Sequence, residues 1–371
     1  VPVLGGETIF HSSYNDNCLV NVAAVGLIKA SDIVHSYVPK CAEHIPYELI
    51  LLGKSTDSTG LGGASFSSAT LDTENDIQNI GAVQVHDPFM QRVLSEAIKT
   101  VLEDAKEKSI EIGFKDLGAG GISCAASEIA AHSGFGCEIF LDHVNVISDK
   151  LPPDVIACSE TQERFCLAVP SDYSHRVLEI VNEQFQMSHM YPNAGAAVIG
   201  KVVNDPSFVL YFKGEKVSDL PIQAITTEVQ VKRDIGFREI PVGLYARPLN
   251  QEHDISRLCE ALLSLPNVRS KQYVYRYFDS GVKGNTVIYP GEADAVVLRP
   301  FLNQSVGIVT SMDSNLYGEI DPYVSGAYAV AESIRNIISV GARPLAITDC
   351  LNFGNPEIPE NLFDFEQGVK G

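Results

Sequence analysis

The sequence predicts a mixed fold of α/β (α+β mixed) type, and three observations carry that reading. Apolar residues recur at helical spacing after Asp87-Pro88, and they alternate at strand spacing in several short runs. In DLGAGGISCAASEIA (116–130) a strand end, an aspartate, a glycine-rich turn and a helix follow one another. Helices and strands are interspersed along all 371 residues, a length that predicts two domains, with three as the alternative.

The elements follow in chain order. The apolar run 20–28 has the length of a buried strand, and 53–68 (GKSTDSTGLGGASFSS) is a small-residue loop. Asp87 is a helix N-cap with Pro88 at the first helical position. Phe89, Val93, Leu94, Ala97, Ile98, Val101, Leu102 and Ala105 then form one apolar face. Ile110, Ile112 and Phe114 alternate as in a strand, and Asp116 shares their parity at its C-terminal end. A helix is predicted over 121–133, a strand through Phe165, Leu167 and Val169, a helix over 177–185 and a strand over 197–203. Residues 204–250, rich in Pro and Gly, predict an irregular connection. Beyond it come a helix near 254–264, a strand over 293–298 and a helix over 325–338 that stops at Gly341. The apolar face of that last helix is Ala327, Val330, Ala331, Ile334, Ile337 and Ile338. In PLAITDCLNFGNPE (344–357), Leu345 and Ile347 alternate and Asp349 follows, repeating the grammar of Asp116.

Asp and Glu number 47 against 27 Lys and Arg, a net charge of −20. That charge repels nucleic-acid phosphate and anionic membranes, so neither is an expected partner. A small phosphorylated ligand stays open, through backbone N–H groups and carboxylate-held Mg²⁺. No apolar run reaches the ~18 residues of a membrane helix, and the start VPVLGGETIF lacks a signal peptide's regions, so a cytoplasmic protein is expected. The chain does not begin with Met, and a piece of a longer protein is the expectation. The eight cysteines never form CxxC, which predicts buried, reduced thiols and no structural zinc. The nine histidines form no HxH or HExxH, and there is no GxSxG elbow.

Pattern alone leaves the chemistry open. The glycines of DLGAGG make either a closely packed strand-to-helix turn, which is the simpler reading, or a Mg²⁺ carboxylate beside an exposed backbone anion site. They match neither GxGxxG at Rossmann spacing nor GxxxxGK[ST]. In SETQERF (159–165), Glu160, Glu163 and Arg164 are a solvated strand end, which pattern alone favours, or Glu160 and Gln162 are hydrogen-bonding arms for a polyhydroxylated ligand. Asp349 reads equally as an Asx-turn cap.

Several stretches in order carry a resemblance: VQVHDPF (83–89), DLGAGGISCAASEIA, SETQERF, LPNVRSKQYVYRYFD (265–279) and PLAITDCLNFGNPE. Nearly end to end, the chain resembles the synthetase subunit of phosphoribosylformylglycinamidine synthase, the formylglycinamide ribonucleotide amidotransferase of PurL type. The resemblance implies aminoimidazole ribonucleotide synthetase-like (PurM-like) A and B domains in tandem. Residues 1–40 would end a first A domain, 41–215 form the first B domain, 216–250 a connection, and 251–371 an incomplete second A domain. It implies substrate contacts at Gln84, Glu160, Thr161 and Gln162, Mg²⁺ at Asp116 and ATP at Asp349, with Asp313, Asp321 and Glu332 as further Mg²⁺ candidates. Thr161 stands where the family commonly has Ser, Ser280 where it has His, and TDSTGL (56–61) departs from the family's TGRDGI. The family's catalytic histidine segments are not found, so no catalytic residue is assigned here. The implied activity is ATP-dependent amidation of formylglycinamide ribonucleotide in purine biosynthesis, with ammonia from a separate glutaminase subunit and a small bridging subunit as a further partner. A non-catalytic nucleotide-binding paralogue and another ATP-dependent enzyme of this fold, such as aminoimidazole ribonucleotide synthetase, are the alternatives.

Overall fold

The computed structural model describes residues 1–15, 18–62, 84–227, 231–240 and 254–371. It divides into two units, one of residues 26–230 and one of 1–25 with 231–371. The predicted mixture of helices and strands is present in both.

The unit 26–230 is built on a seven-stranded sheet of order β2-β4-β1-β5-β3-β6-β7. Its strands are β1 (Tyr47–Gly53), β2 (Gly113–Asp116), β3 (Gly136–Phe140), β4 (Arg164–Pro170), β5 (Gly195–Val203), β6 (Ser207–Phe212) and β7 (Glu215–Pro221). Strand β4 runs antiparallel to both β1 and β2, whereas β3 and β6 pair in parallel. Both faces of the central strands are covered, and the alternation of β1 and β4 shows how. Leu49, Leu51, Cys166 and Ala168 face one core with Ile122, Ala126 and Ile129 of α2 (Gly121–Ala131). Ile50, Leu52, Leu167 and Val169 face the other with Met90, Leu94, Ala97 and Val101 of α1 (Pro88–Glu107). Period-2 side chains on a sheet therefore feed two helical layers.

Helix α1 begins as predicted, with Asp87 Oδ1 accepting the Met90 N–H at 2.9 Å and Pro88 in the first turn. Phe89 lies off the buried stripe and is exposed, because Met90 rather than Phe89 keeps the 3–4 spacing with Leu94 and Ala97. Two short helices follow, α3 (Pro153–Cys158) and α4 (Ser174–Leu178), and α4 continues as a π-helical stretch over Glu179–Gln184.

Asp104 ties α1 to α4. Its carboxylate accepts from Lys108 Nζ at 2.7 Å, Tyr173 Oη at 2.8 Å and Arg176 Nη2 at 3.0 Å. Burial pushes its pKa up, but these bonds outweigh burial and hold it down at about 2, against an ordinary 3.8. A depressed carboxylate contributes stability above its unfolded pKa and loses it as pH falls through the folded value. Asp104→Asn is therefore expected to lower the urea midpoint at pH 6, with the gap to the parent closing between about pH 5 and pH 2.

Several expectations fail here. Residues 204–250 are not simply irregular, since β6, β7 and α5 (Gln223–Thr226) lie within them; residues 228–230 and 241–250 fall outside the described residues. The run 20–28 forms no strand: Val20, Val22 and Val25 are exposed, with no ladder partner among the described residues. All eight cysteines are free thiols, as expected, but only Cys137 and Cys166 are buried. Of the loop 53–68, residues 63–68 lie outside the described residues.

The unit of residues 1–25 and 231–371 holds a three-stranded antiparallel sheet of order β10-β9-β8, from β8 (Thr286–Ile288), β9 (Val296–Leu298) and β10 (Ile308–Thr310). Its helices are α6 (Ile255–Ser264), α7 (Gln272–Tyr275), α8 (Pro322–Ser339) and α9 (Pro359–Lys370). Asp254 caps α6 and Asp321 caps α8, accepting the Val324 N–H at 3.1 Å. Helices α8 and α9 approach so closely that a Cβ on Gly326 would lie 2.3 Å from Gly368 O. Arg238 Nε donates to Asp364 Oδ1 at 2.8 Å and its Nη1 to Glu319 O at 2.9 Å, which fastens the segment 231–240 within this unit. The predicted apolar face of α8 is not buried, since Val330 and Ile338 are exposed. Nor does 345–349 form a strand: Leu345 is 90% exposed and Ile347 has no pairing partner among the described residues. No helix is long and apolar enough to cross a membrane, among the described residues.

Candidate functional site

Because β4 is antiparallel to its two neighbours, its start lies beside the ends of β1 and β2. The register pairs Gly53 with Arg164 and Asp116 with Phe165. Three segments distant in sequence, 53–62, 116–121 and 159–164, thus meet at one end of the sheet.

The 159–164 loop is pinned from beneath. Arg164 is 2% exposed and donates Nε to Thr161 O at 2.9 Å, Nη2 to Ser159 O at 2.7 Å and Nη1 to Thr56 Oγ1 at 2.7 Å. Its planar fork matches this three-acceptor arrangement, which an ammonium could not span. Burial pushes the Arg164 pKa down to about 10, with the nearby Asp57 acting the other way, so it stays charged at neutral pH. A solvated strand end, one of the two readings of this segment, is therefore incorrect.

Thr161 is also held internally. Its hydroxyl donates to Asp57 Oδ1 at 2.8 Å and accepts the Asp57 N–H at 3.1 Å. Asp57 Oδ1 further accepts the Thr59 N–H at 3.0 Å and its hydroxyl at 2.6 Å. Burial works to raise the Asp57 pKa, but these bonds and the charge of Lys54 outweigh it and keep the carboxyl below its ordinary value.

Glu160 is buried as well, at 3% exposed, whereas Gln162 is half-buried and Gln84 exposed. Gln84 Nε2 donates to Glu160 Oε2 at 2.9 Å, and Gln162 Nε2 donates to Glu160 O at 3.0 Å. Gly60 sits directly on this pair: at its φ of +69° an added Cβ would lie 2.9 Å from Glu160 Cβ and 3.3 Å from Gln84 Cγ. Only glycine lets the 57–62 loop come so near.

Asp116 stands exposed at the end of β2. Its neighbour Lys115 pairs with Glu128 at 2.7 Å, and Cys124 Sγ donates to Glu128 Oε1 at 3.0 Å. Burial, helped by Glu128, pushes the Cys124 thiol up to about 11, which makes it a protonated donor rather than a nucleophile. The glycines after Asp116 divide the two readings of DLGAGG between them. A Cβ on Gly121, at φ +55°, would lie 2.2 Å from Ser159 O, so Gly121 packs against the very loop just described. Gly118 has nothing within 4 Å of where its Cβ would be. No side chain caps α2, whose N-cap is Gly120.

The structure thus brings Gln84, Asp116, Glu160, Thr161 and Gln162 together in one unit. Asp349 lies on exposed coil in the other unit. There Asp313 accepts from Ser333 Oγ at 2.8 Å and Asn336 Nδ2 at 2.7 Å, and Asp321 is a helix cap, so both have structural partners. Glu332 is half-buried on α8. No cluster of three metal-ligating side chains is found among the described residues. An open cleft of about 440 Å³ between Asp142, Asp149 and Asn182 contains none of the predicted site residues. Sequence reasoning noted TDSTGL only as a departure from the family pattern and gave Lys54, Thr56 and Asp57 no role. The signal for Arg164 was present: a charged residue opening an otherwise apolar run, RFCLAV, on a doubly covered strand.

With this geometry in place, the likeness to known proteins becomes specific. Residues 48–213 match the C-terminal domain of AIR synthase related protein, and residues 292–371 match its N-terminal domain. The chain is 43% identical to phosphoribosylformylglycinamidine synthase subunit PurL of Methanothrix thermoacetophila over 100% of its own length and 48% of that protein's. It is 38% identical to the Aquifex aeolicus PurL subunit over 100% and 49% of the two lengths. The chain therefore spans about half the length of the curated relatives it matches. Among solved structures, Thermotoga maritima PurL complexed with FGAR is similar with a TM-score of 0.66 at 26% identity, covering 92% of this chain and 51% of that one. The T. maritima PurLQS structure gives 0.67 at 25% identity, with 92% and 50% coverage. The matches at 48–213 and 292–371 place the chain in the AIR synthase related family, within which it is similar to PurL subunits.

Proposed function

We propose that this chain carries the formylglycinamide ribonucleotide half-site of a PurL-type ligase. The observation that carries the proposal is the convergence of Gln84, Glu160 and Gln162 with Asp116 at one sheet end, over a loop pinned from beneath by Arg164. Gln84, Glu160 and Gln162 offer amide and carboxylate groups to a polyhydroxylated ribonucleotide. Thr161, with its hydroxyl on Asp57 and its carbonyl on Arg164, contributes by fixing the loop between Glu160 and Gln162. The T. maritima PurL structures described as complexed with FGAR and with AMPPCP support substrate and nucleotide. The tandem reading (end of an A domain over 1–40, B domain over 41–215, connection over 216–250, incomplete second A domain over 251–371) is supported by the family matches at 48–213 and 292–371.

Asp116 fits a Mg²⁺ ion: it is an exposed hard oxygen donor, its neighbouring lysine is already paired, and open space lies over Gly118. A single carboxylate with waters and ligand phosphate is how Mg²⁺ is commonly held. When bound it would neutralise phosphoryl charge. Asp349 would belong to the ATP site. In the reaction, ATP phosphorylates the substrate's amide oxygen to an iminophosphate; ammonia then attacks the carbon and phosphate leaves, giving the amidine. The residues of this chain orient the amide and ribose, and positioning is a major source of rate for such a step. Ammonia would come from a glutaminase subunit, with a small bridging subunit as second partner. The PurLQS structure supports such an assembly. A cytoplasmic location, with no nucleic acid or membrane as partner, completes the proposal.

Calorimetric titration with formylglycinamide ribonucleotide and Mg²⁺ tests it. The parent is expected to bind saturably. Gln162→Ala and Asp116→Asn are each expected to weaken binding about 10- to 100-fold, the effect of losing one hydrogen bond or ion-mediated contact to a charged ligand. A folded parent that gives no saturable heat would overturn the proposal.

A further inference from the structure

Glu163 is conspicuous in the network around this loop. It is a non-glycine residue at φ 54°, a conformation that L side chains rarely hold without compensation. Its side chain is only 7% exposed. Its Oε1 accepts the Asp87 N–H at 2.8 Å, while its Oε2 receives no hydrogen bond among the described residues. The nearest cation to Oε2 is Lys54 Nζ at 3.5 Å, itself 6% exposed and lying 4.7 Å over the Tyr191 ring. The Glu163 backbone is clamped as well: its carbonyl accepts the Lys54 N–H at 3.1 Å and lies where a Cβ on Gly53 would be, 2.0 Å away.

Burying a carboxylate and an ammonium whose charged atoms stay 3.5 Å apart is costly, so the pair is weak grounds for stability. What the carboxylate does hold is the peptide of Asp87, three residues after Gln84, at the entry to α1. Gln84 in turn reaches Glu160, three residues before Glu163. Two chain segments 76 residues apart are thus tied by two parallel bonds, one of which joins two of the proposed substrate residues.

We propose that Glu163 is a positioning residue, held by Lys54, whose carboxylate fixes the Asp87 peptide and thereby sets Gln84 against Glu160 for the substrate. The inference rests on the reading of 159–162 as the formylglycinamide ribonucleotide loop. Two charge-neutral double variants test it. Lys54→Met with Glu163→Gln keeps an acceptor oxygen for the Asp87 N–H, whereas Lys54→Met with Glu163→Leu removes it. The first is expected to bind formylglycinamide ribonucleotide within about threefold of the parent, and the second at least about tenfold more weakly, at closely similar melting temperatures. Adding Gln84→Ala is expected to weaken the first variant further and to leave the second unchanged, because Gln84 is already misplaced there. The Asp87 amide should exchange with solvent faster in the second variant. Should the leucine variant not fold, Glu163→Asp replaces it: aspartate tolerates positive φ and keeps the charge beside Lys54, but is one methylene too short to reach Asp87. It is expected to show the same loss. Equal binding by the paired variants, or by Glu163→Asp and the parent, would overturn the proposal. A folded parent that binds no formylglycinamide ribonucleotide would instead remove the substrate reading, and this inference with it.

Discussion

Arg164→Met is expected to destabilise the protein by about 3–5 kcal/mol and to abolish formylglycinamide ribonucleotide binding. The guanidinium donates to two loop carbonyls and a threonine hydroxyl in a site that is 2% exposed. Methionine fills the volume but leaves Thr161 O and Ser159 O buried without a donor, and each such orphan costs about 1–3 kcal/mol. Arg164→Lys keeps the charge but not the fork, so it should recover less than half of the loss. Urea unfolding followed by circular dichroism gives the stability, and calorimetry at a temperature where both variants are folded gives the binding. A variant as stable as the parent would show that the loop is held by something other than Arg164.

Gly121→Ala is expected to cost about 2–4 kcal/mol, summing the left-handed conformation with an overpacked contact. The new Cβ would sit 2.2 Å from a backbone oxygen, Ser159 O, which cannot swing aside as a side chain tip would. Gly118→Ala, two residues beyond Asp116, is the control. Its Cβ meets nothing within 4 Å, so stability should change by less than about 0.5 kcal/mol. On the proposed function, that open space is where the ligand lies, and Gly118→Ala should weaken formylglycinamide ribonucleotide binding without loosening the fold. Thermal unfolding of the two variants side by side separates a packing glycine from a ligand-facing one.

The parts of this fold that were legible in the sequence are those whose signals are local. Asp87-Pro88 announces a capped helix, and the alternating runs at Ile110, Ile112 and Phe114 and at Phe165, Leu167 and Val169 announce β2 and β4, whereas β1 was not read from the sequence. Where tertiary context decides, the sequence misled. The run 20–28 and Leu345–Ile347 have strand-like composition, but a strand needs a neighbour, and neither has one among the described residues. β6 and β7 were hidden by the Pro and Gly around them. The site divides in the same way. Glu160, Gln162, Gln84 and Asp116 were singled out only through resemblance, and the structure brings them to one end of the sheet. The support beneath them was not legible, because hydrogen bonds from Arg164 to Thr56, from Thr161 to Asp57 and from the Asp87 N–H to Glu163 join segments 76 to 108 residues apart, and no spacing rule records such pairs. The departure of TDSTGL from TGRDGI now has a physical meaning: Asp57 and Thr59 form the bracket that holds Thr161.

The most direct test of the account is a crystal structure of the protein with formylglycinamide ribonucleotide and Mg²⁺. The account predicts the ribonucleotide against Gln84, Glu160 and Gln162, with a Mg²⁺ ion on Asp116 and the Arg164 hydrogen bonds unchanged. Ligand density at another place on the fold, with the 159–162 loop bare at saturating concentration, would contradict it.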